Sequence, residues 1–135
     1  MNAPSVDIKT LLDGESSFGL TFATNLFVGR EPELPDEVTT IFDTPGRGPE
    51  LFISNDGFKW EHVAFQIRYR DRDYRDGYAR AEAIGDYLHG RAHEDIGGTR
   101  YELIQSAGSL TLLDWDDNER VRFVQNFTAI RKSST

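Results

Sequence analysis

The chain contains no cysteine, which removes thiol catalysis, cysteine-based zinc sites and any disulfide framework. It is also short of positive charge. Fifteen Lys and Arg stand against 23 Asp and Glu, for a formal net charge of −8. That balance favours solubility and works against tight binding to a phosphate backbone, where affinity comes from Lys and Arg neutralising phosphates. No apolar run approaches the roughly 18 consecutive residues that a membrane-spanning helix requires. The opening residues, Met1-Asn2-Ala3-Pro4-Ser5, carry neither the basic nor the apolar region of a secretory signal. The Asn126-Phe127-Thr128 sequon, set in an alternating apolar context, therefore reads as chance.

Catalytic constellations are missing as well. Gly14-Glu15-Ser16-Ser17-Phe18 approaches a nucleophile elbow, but Phe18 stands where the strained turn requires a second glycine. His89 and His93 have the i, i+4 spacing of helical zinc ligands, yet Gly90 between them marks a helix end. Asp114-x-Asp116-x-Asn118 opens like a calcium loop, but Glu119 and Gln125 occupy the positions of the required Gly and Glu. Gly46-Arg47-Gly48 lacks the Gly-Lys-Ser/Thr ending of a phosphate loop and leads into no helix. The expectation is a protein that is not an enzyme and uses no metal or cofactor.

What is present is patterning for one domain. A chain of 135 residues buries roughly two-thirds of its unfolded surface, enough for a single core. Ser5 is a plausible N-cap for a first helix over Val6–Leu12, ended by Gly14. Asn25–Val28 and Val38–Phe42 read as short strands, and Asp43-Thr44-Pro45-Gly46 as a turn closing the second. Leu51–Ile53 suggests a further strand, and Asn55-Asp56-Gly57 a hairpin turn. From His62 to Arg70 the alternation is unbroken, with Val63, Phe65, Ile67 and Tyr69 on one face.

The period then becomes helical. Tyr74, Tyr78, Ala81, Ile84 and Leu88 form a stripe widened by Ala83 and Tyr87. Asp73 is the expected N-cap, with Asp76 completing a capping box and Gly90 at the left-handed C′ position. Arg100–Ser106, Leu110–Trp115 and Val121–Ile130 follow as strands, the last aligning Val121, Phe123, Gln125, Phe127 and Ala129. The fold class is α/β, of the α+β kind: a single mixed or mainly antiparallel sheet with two principal helices packed on it. Residues 1–135 form one domain, with about 132–135 expected to be flexible.

Several of these pieces recur together in a recognisable order. Asp43-Thr44-Pro45-Gly46 comes first, then Phe65-Gln66-Ile67-Arg68-x-Arg70 and Asp73-Tyr74. The helix with Tyr78-Ala79-x-Ala81-x-x-Ile84 follows, then Ile96-Gly97-Gly98-x-x-Tyr101 and Arg122-Phe123-x-x-Asn126-Phe127-x-x-x-Arg131. The series, from Val38 to Arg131, resembles the minor capsid or tail-completion proteins of tailed bacteriophages, and most closely the tail terminators.

The resemblance implies a structural virion protein, assembled in the bacterial host cytoplasm and located in the tail at the head–tail junction. It implies a homohexameric ring on the head-proximal end of a siphophage tail tube, ending polymerisation and offering a head-joining surface. The implied partners are other copies of the chain, the tail tube protein and the head completion or stopper protein. DNA passes through the ring without sequence-specific binding, and the −8 charge suggests an acidic lumen. A closed ring needs two different complementary patches on each subunit. The mixed-sign run from Arg68 through Arg70, Asp71, Arg72 and Asp73, and the Gly/Pro-rich loop with Thr44 and Arg47, are the interface candidates. The alternatives are another head–tail joining protein, or a small-ligand-binding domain with Trp60, Trp115 and the tyrosines lining a pocket.

Overall fold

The structure is a computed structural model that describes residues 1–51 and 58–134. In chain order the elements are α1 (Pro4–Asp13), a 3-10 turn (Ser16–Phe18), β1 (Leu26–Val28), β2 (Val38–Leu51) and β3 (Phe58–Asp71). They continue with α2 (Tyr74–Leu88), β4 (Ala92–Ile96), β5 (Thr99–Ser106), β6 (Thr111–Trp115) and β7 (Val121–Ser134). The strands form one sheet in the order β1-β2-β3-β7-β5-β4, with β6 also paired to β7. Only the β1–β2 pairing is parallel among the described ladders. This is the expected α+β class.

β7 organises the sheet. Along one edge it pairs with β3 from Asp71↔Val121 to Phe58↔Ser134. Its other edge is divided: β6 takes Val121 to Val124, and β5 takes Phe127 to Arg131. The register sets Phe65 opposite Phe127, Ile67 opposite Gln125 and Tyr69 opposite Phe123, so the two apolar alternations share one face. Both helices supply the core on that face: Ile8 and Leu12 from α1, and Ala81, Ile84 and Leu88 from α2. Phe65 and Phe127 stack at 5.2 Å within it.

α2 is bounded as its local signals predict, with one exchange of partners. Asp73 Oδ1 accepts from the Asp76 N–H at 2.9 Å, and Gly90 has φ +88. The reciprocal half of the cap is made by Asp71, whose Oδ1 accepts from the Asp73 N–H at 2.8 Å. The inward stripe of α2 is Gly77, Ala81, Ile84, Gly85 and Leu88; Tyr74, Tyr78 and Ala83 are exposed. Two glycines let the helix lie close to the sheet. A Cβ on Gly77 would meet the Asp71 Cβ at 2.9 Å and the Phe123 ring at 3.3 Å.

The structure corrects other expectations. α1 begins at Pro4 with Ala3 at the N-cap, and no side chain caps it. Ser5 is instead buried in the first turn, donating from Oγ to Asp43 Oδ2 at 2.6 Å and from N–H to Asp43 Oδ1 at 2.9 Å. Asp43–Gly46 is no terminal turn, because β2 continues through it and absorbs the irregular residues as register shifts after Thr44 and Arg47. Pro45 has no N–H to contribute to a ladder, and Gly46 lies so near β3 that a Cβ would stand 2.3 Å from the His62 carbonyl oxygen. β4 was not expected, since Ala92–Ile96 is mostly polar and exposed. Phe52–Ile53 and the Asn55–Gly57 turn lie outside the described residues.

Candidate assembly interface

The face of the sheet away from the helices is covered by chain rather than by helix. After β1, residues 29–37 cross part of this face before β2 begins, and a cluster of arginines from β3 and β7 holds them. Arg70, on β3, donates to the carbonyl oxygens of Glu33 (3.2 Å), Pro35 (2.6 Å) and Asp36 (3.3 Å) and to Glu31 Oε1 (3.2 Å). Arg120 donates to the Glu33 carbonyl at 2.5 Å and pairs with Glu33 and Asp116. Arg122 bridges Glu31 at 3.2 Å and Asp114 at 2.5 Å.

Geometry sets the electrostatics of this strap. Burial disfavours the charged form of Arg70, and the nearby Arg120 adds to that; Glu31 opposes both, and the net shift is downward. Arg122 is shifted upward by its hydrogen bond to Asp114, which in turn falls below the usual carboxylate range. Asp36 is lowered by its hydrogen bond from Arg72. For Asp116 burial pushes upward, but hydrogen bonds from the Arg120 backbone and side chain and from the Asn118 backbone leave the net shift downward.

The structure separates the interface candidates into two groups. Arg70 and Asp71 are 2% and 1% exposed. Arg70 holds the strap, while Asp71 accepts from Arg80 at 2.9 Å and from the Asp73 backbone. Arg72 and Asp73 are exposed at the corner between β3 and α2, Arg72 paired with Asp36 at 2.5 Å. Arg68 is half-buried on the open face, 4.8 Å from the Phe42 ring and donating to Gln66. Thr44 and Arg47 lie together on β2 at the uncovered end of the same face, with Arg47 Nη2 3.1 Å from His62 Nε2. There the Pro45–Arg47 bulge borders a cavity of about 570 Å³ over Ala64, Thr128 and Ile130.

The chemical motifs considered above are used structurally. Ser17 Oγ donates to Glu15. His89 Nδ1 accepts from the Ser106 N–H, whereas His93 pairs with Glu102, so the two histidines do not converge. Asp114 and Asp116 are committed to Arg122 and Arg120. Among the described residues, no group of three or more His, Asp or Glu is placed to hold a metal ion, and no helix is long and apolar enough to cross a membrane. Trp60 and Trp115 lie at opposite ends of the sheet, one facing Lys132 in register and the other Val121, so they line no common pocket.

One surface was not anticipated. Tyr74, Tyr78, Leu112, Leu113 and Trp115 are all at least 39% exposed, at the margin where α2 meets β6. Tyr74 stacks on Trp115 at 6.4 Å, and both tyrosines meet the buried Phe123 edge-on, at 5.0 and 5.6 Å. The helical period had assigned both tyrosines to the core. The signal that could have shown otherwise is the pair of glycines, Gly77 and Gly85, which mark the face of closest approach.

A search of curated proteins returns no match. Among solved structures, the fold is similar to a chain described as "Virion of native gene transfer agent (GTA) particle", with a TM-score of 0.66 and 14% identity. That alignment covers 97% of this chain and 96% of the other. The family model described as "Bacteriophage tail terminator protein" matches residues 7–132, nearly the whole span of helices and sheet just described. The chain belongs to the bacteriophage tail terminator family, a class of structural tail-completion proteins.

Proposed function

We propose that the protein closes the head-proximal end of a tail tube as a ring of identical subunits, six in number, and so ends tube polymerisation. The observation that carries this reading is the family match across residues 7–132. In this reading the finished ring presents a surface to the head completion or stopper protein, and DNA passes through its lumen unread. The protein acts by shape and contact, without catalysis or cofactor, as part of the virion after assembly in the host cytoplasm.

The candidates that are not buried have distinct places here. Thr44, Arg47 and Arg68 are on the open sheet face and contact the tube or a neighbour, and Arg72 and Asp73 are at the β3–α2 corner. Arg70 and Asp71 act from within, by fixing the strap and the start of α2. The excess of 23 acidic over 15 basic residues supports an acidic lumen that repels the genome and lets it slide; a basic lumen in an assembled ring would remove that part.

The test is polymerisation of the cognate tail tube protein with and without this chain, viewed by electron microscopy. Ring-shaped density at one tube end, with elongation stopped, is the expected result. Tubes that elongate unchanged at saturating protein would overturn the reading.

A further inference from the structure

The ring proposed above requires each copy to touch its neighbours through two different surfaces. From the geometry we infer that the aromatic α2–β6 margin of one copy docks on the β1 margin of the next. The inference rests on the ring reading and specifies its lateral contact.

Three observations support it. The first is the apolar area left open: Trp115 is 51% exposed, Tyr74 47%, Leu112 44%, Leu113 40% and Tyr78 39%. Tyr and Trp are enriched at the centres of protein interfaces, and a contiguous exposed patch of this kind marks an interaction surface. Here it coincides with a sheet margin, because β6 pairs with β7 alone. The sequence of β6, Thr-Leu-Leu-Asp-Trp, contains no Lys and no Pro, and its protection as an edge is limited to its shortness, Asp114 and a register shift between Leu112 and Asp114.

The second observation is the sign of the rim. Asp73, Asp76, Glu82, Asp86, Asp117 and Glu119 are exposed at the start of α2, along it and in the β6–β7 turn around the patch, against two exposed cations, Arg72 and Arg75. Glu82 and Asp86 line a groove of about 250 Å³ together with Tyr78. The occupant must therefore combine apolar surface with positive charge.

The third is that this chain has such a surface at the opposite margin of the same sheet. β1 is the terminal strand there. Phe22, 45% exposed, precedes it with the Lys9 ammonium 4.5 Å from its ring centroid, and the exposed Arg30 follows it; the acidic group beside them is Asp13, which accepts from the Phe22 N–H. Two unlike, complementary margins of one sheet make a head-to-tail contact, the type that closes into a ring when its rotation is right. A second copy of this chain is thus the occupant that fits.

Because the chain has no cysteine, cross-linking tests the contact directly. Leu113→Cys and Phe22→Cys combined in one chain, allowed to cap tail tubes and then oxidised, should give a ladder of covalent oligomers up to the size of the ring. Each single variant should give no ladder. As an independent measure, Glu119→Lys and Arg30→Glu should each weaken ring formation on tubes at least tenfold, and the double variant should restore it. Trp115→Ala should lower capping by a similar factor while leaving the monomer folded, as seen by circular dichroism.

A wild-type protein that caps tubes, with no ladder from the double-cysteine chain and no rescue by the charge exchange, would overturn this contact and leave the function standing. Loss of head joining by Trp115→Ala, with rings intact, would assign the patch to a neck protein and equally overturn it. A wild type that neither caps tubes nor forms rings would overturn the function itself.

Discussion

The two faces of the sheet are covered by different physics. On one, α1 and α2 bury aliphatic and aromatic side chains, with Ile8, Leu12, Ile84, Leu88, Phe65 and Phe127 all at 0% exposure. On the other, residues 29–37 are held by charge-assisted hydrogen bonds from Arg70, Arg120 and Arg122. Apolar cover is non-directional and tolerates small shifts. The polar cover depends on geometry: breaking a buried ion pair leaves an uncompensated charge, although making the pair contributes little net stability. The strap is therefore a register device more than a source of stability.

Two large-to-small substitutions should expose the contrast most strongly. Phe127→Ala removes a fully buried ring and is expected to cost about 3–5 kcal/mol of global stability, read by urea unfolding. Arg70→Ala leaves Glu31 to Arg122 and the Glu33 carbonyl to Arg120, but takes the donor from the Pro35 and Asp36 carbonyls, at about 1–3 kcal/mol for each such group left unsatisfied. Its signature differs, however. Hydrogen exchange should rise first in residues 29–37, with the α2 amides still protected; uniform loss of protection would show that the strap and core unfold as one unit.

Acid sharpens the same distinction at lower cost. Asp36, Asp114 and Asp116 have folded-state values depressed below their ordinary 3.8. Their contribution is therefore complete above about pH 4 and is lost as pH falls below 3.8 through their lower folded values. The aliphatic and aromatic contacts under α1 and α2 carry no charge to lose. On acidification below pH 4, Trp115 fluorescence and exchange at 29–37 should change before the far-ultraviolet helix signal. Simultaneous loss would show that the two covers are not separable.

The smallest effect belongs to the junction between them. Asp73→Ala removes the N-cap of α2 and should cost about 1 kcal/mol. Asp73→Asn should recover most of it in the same unfolding experiment. Failure of the asparagine to do so would mean that the charge of Asp73, rather than its capping oxygen, stabilises this corner.

The same division explains what could be read from the sequence. The β3 alternation was legible because Phe65, Ile67 and Tyr69 declare one face by period alone, and α2 because its caps are local. The strap was not, since Arg70 finds its partners 34 to 39 positions away, and nothing in a mixed-sign run says which charges will meet. The length of β2 was hidden by real turn chemistry at Pro45-Gly46, which pairing with β3 overrides as bulges. β4 was hidden by its polarity. As for the interface candidates, a mixed-sign run does not show which of its members stay exposed: Arg72 and Asp73 do, whereas Arg70 and Asp71 are buried.

The central position of β7 bears on how the protein is made. It follows every other described element in chain order, yet β3, β5 and β6 all require it as a ladder partner. While the ribosome is still synthesising residues 121–134, the preceding strands form two separate sets, β1-β2-β3 and β4-β5, with β6 paired to neither. Folding must therefore wait for contacts of long sequence separation, which slows it. A chain released before Val121 would lack the strand that unites the sheet. The topology makes one continuous sheet depend on β7 being complete.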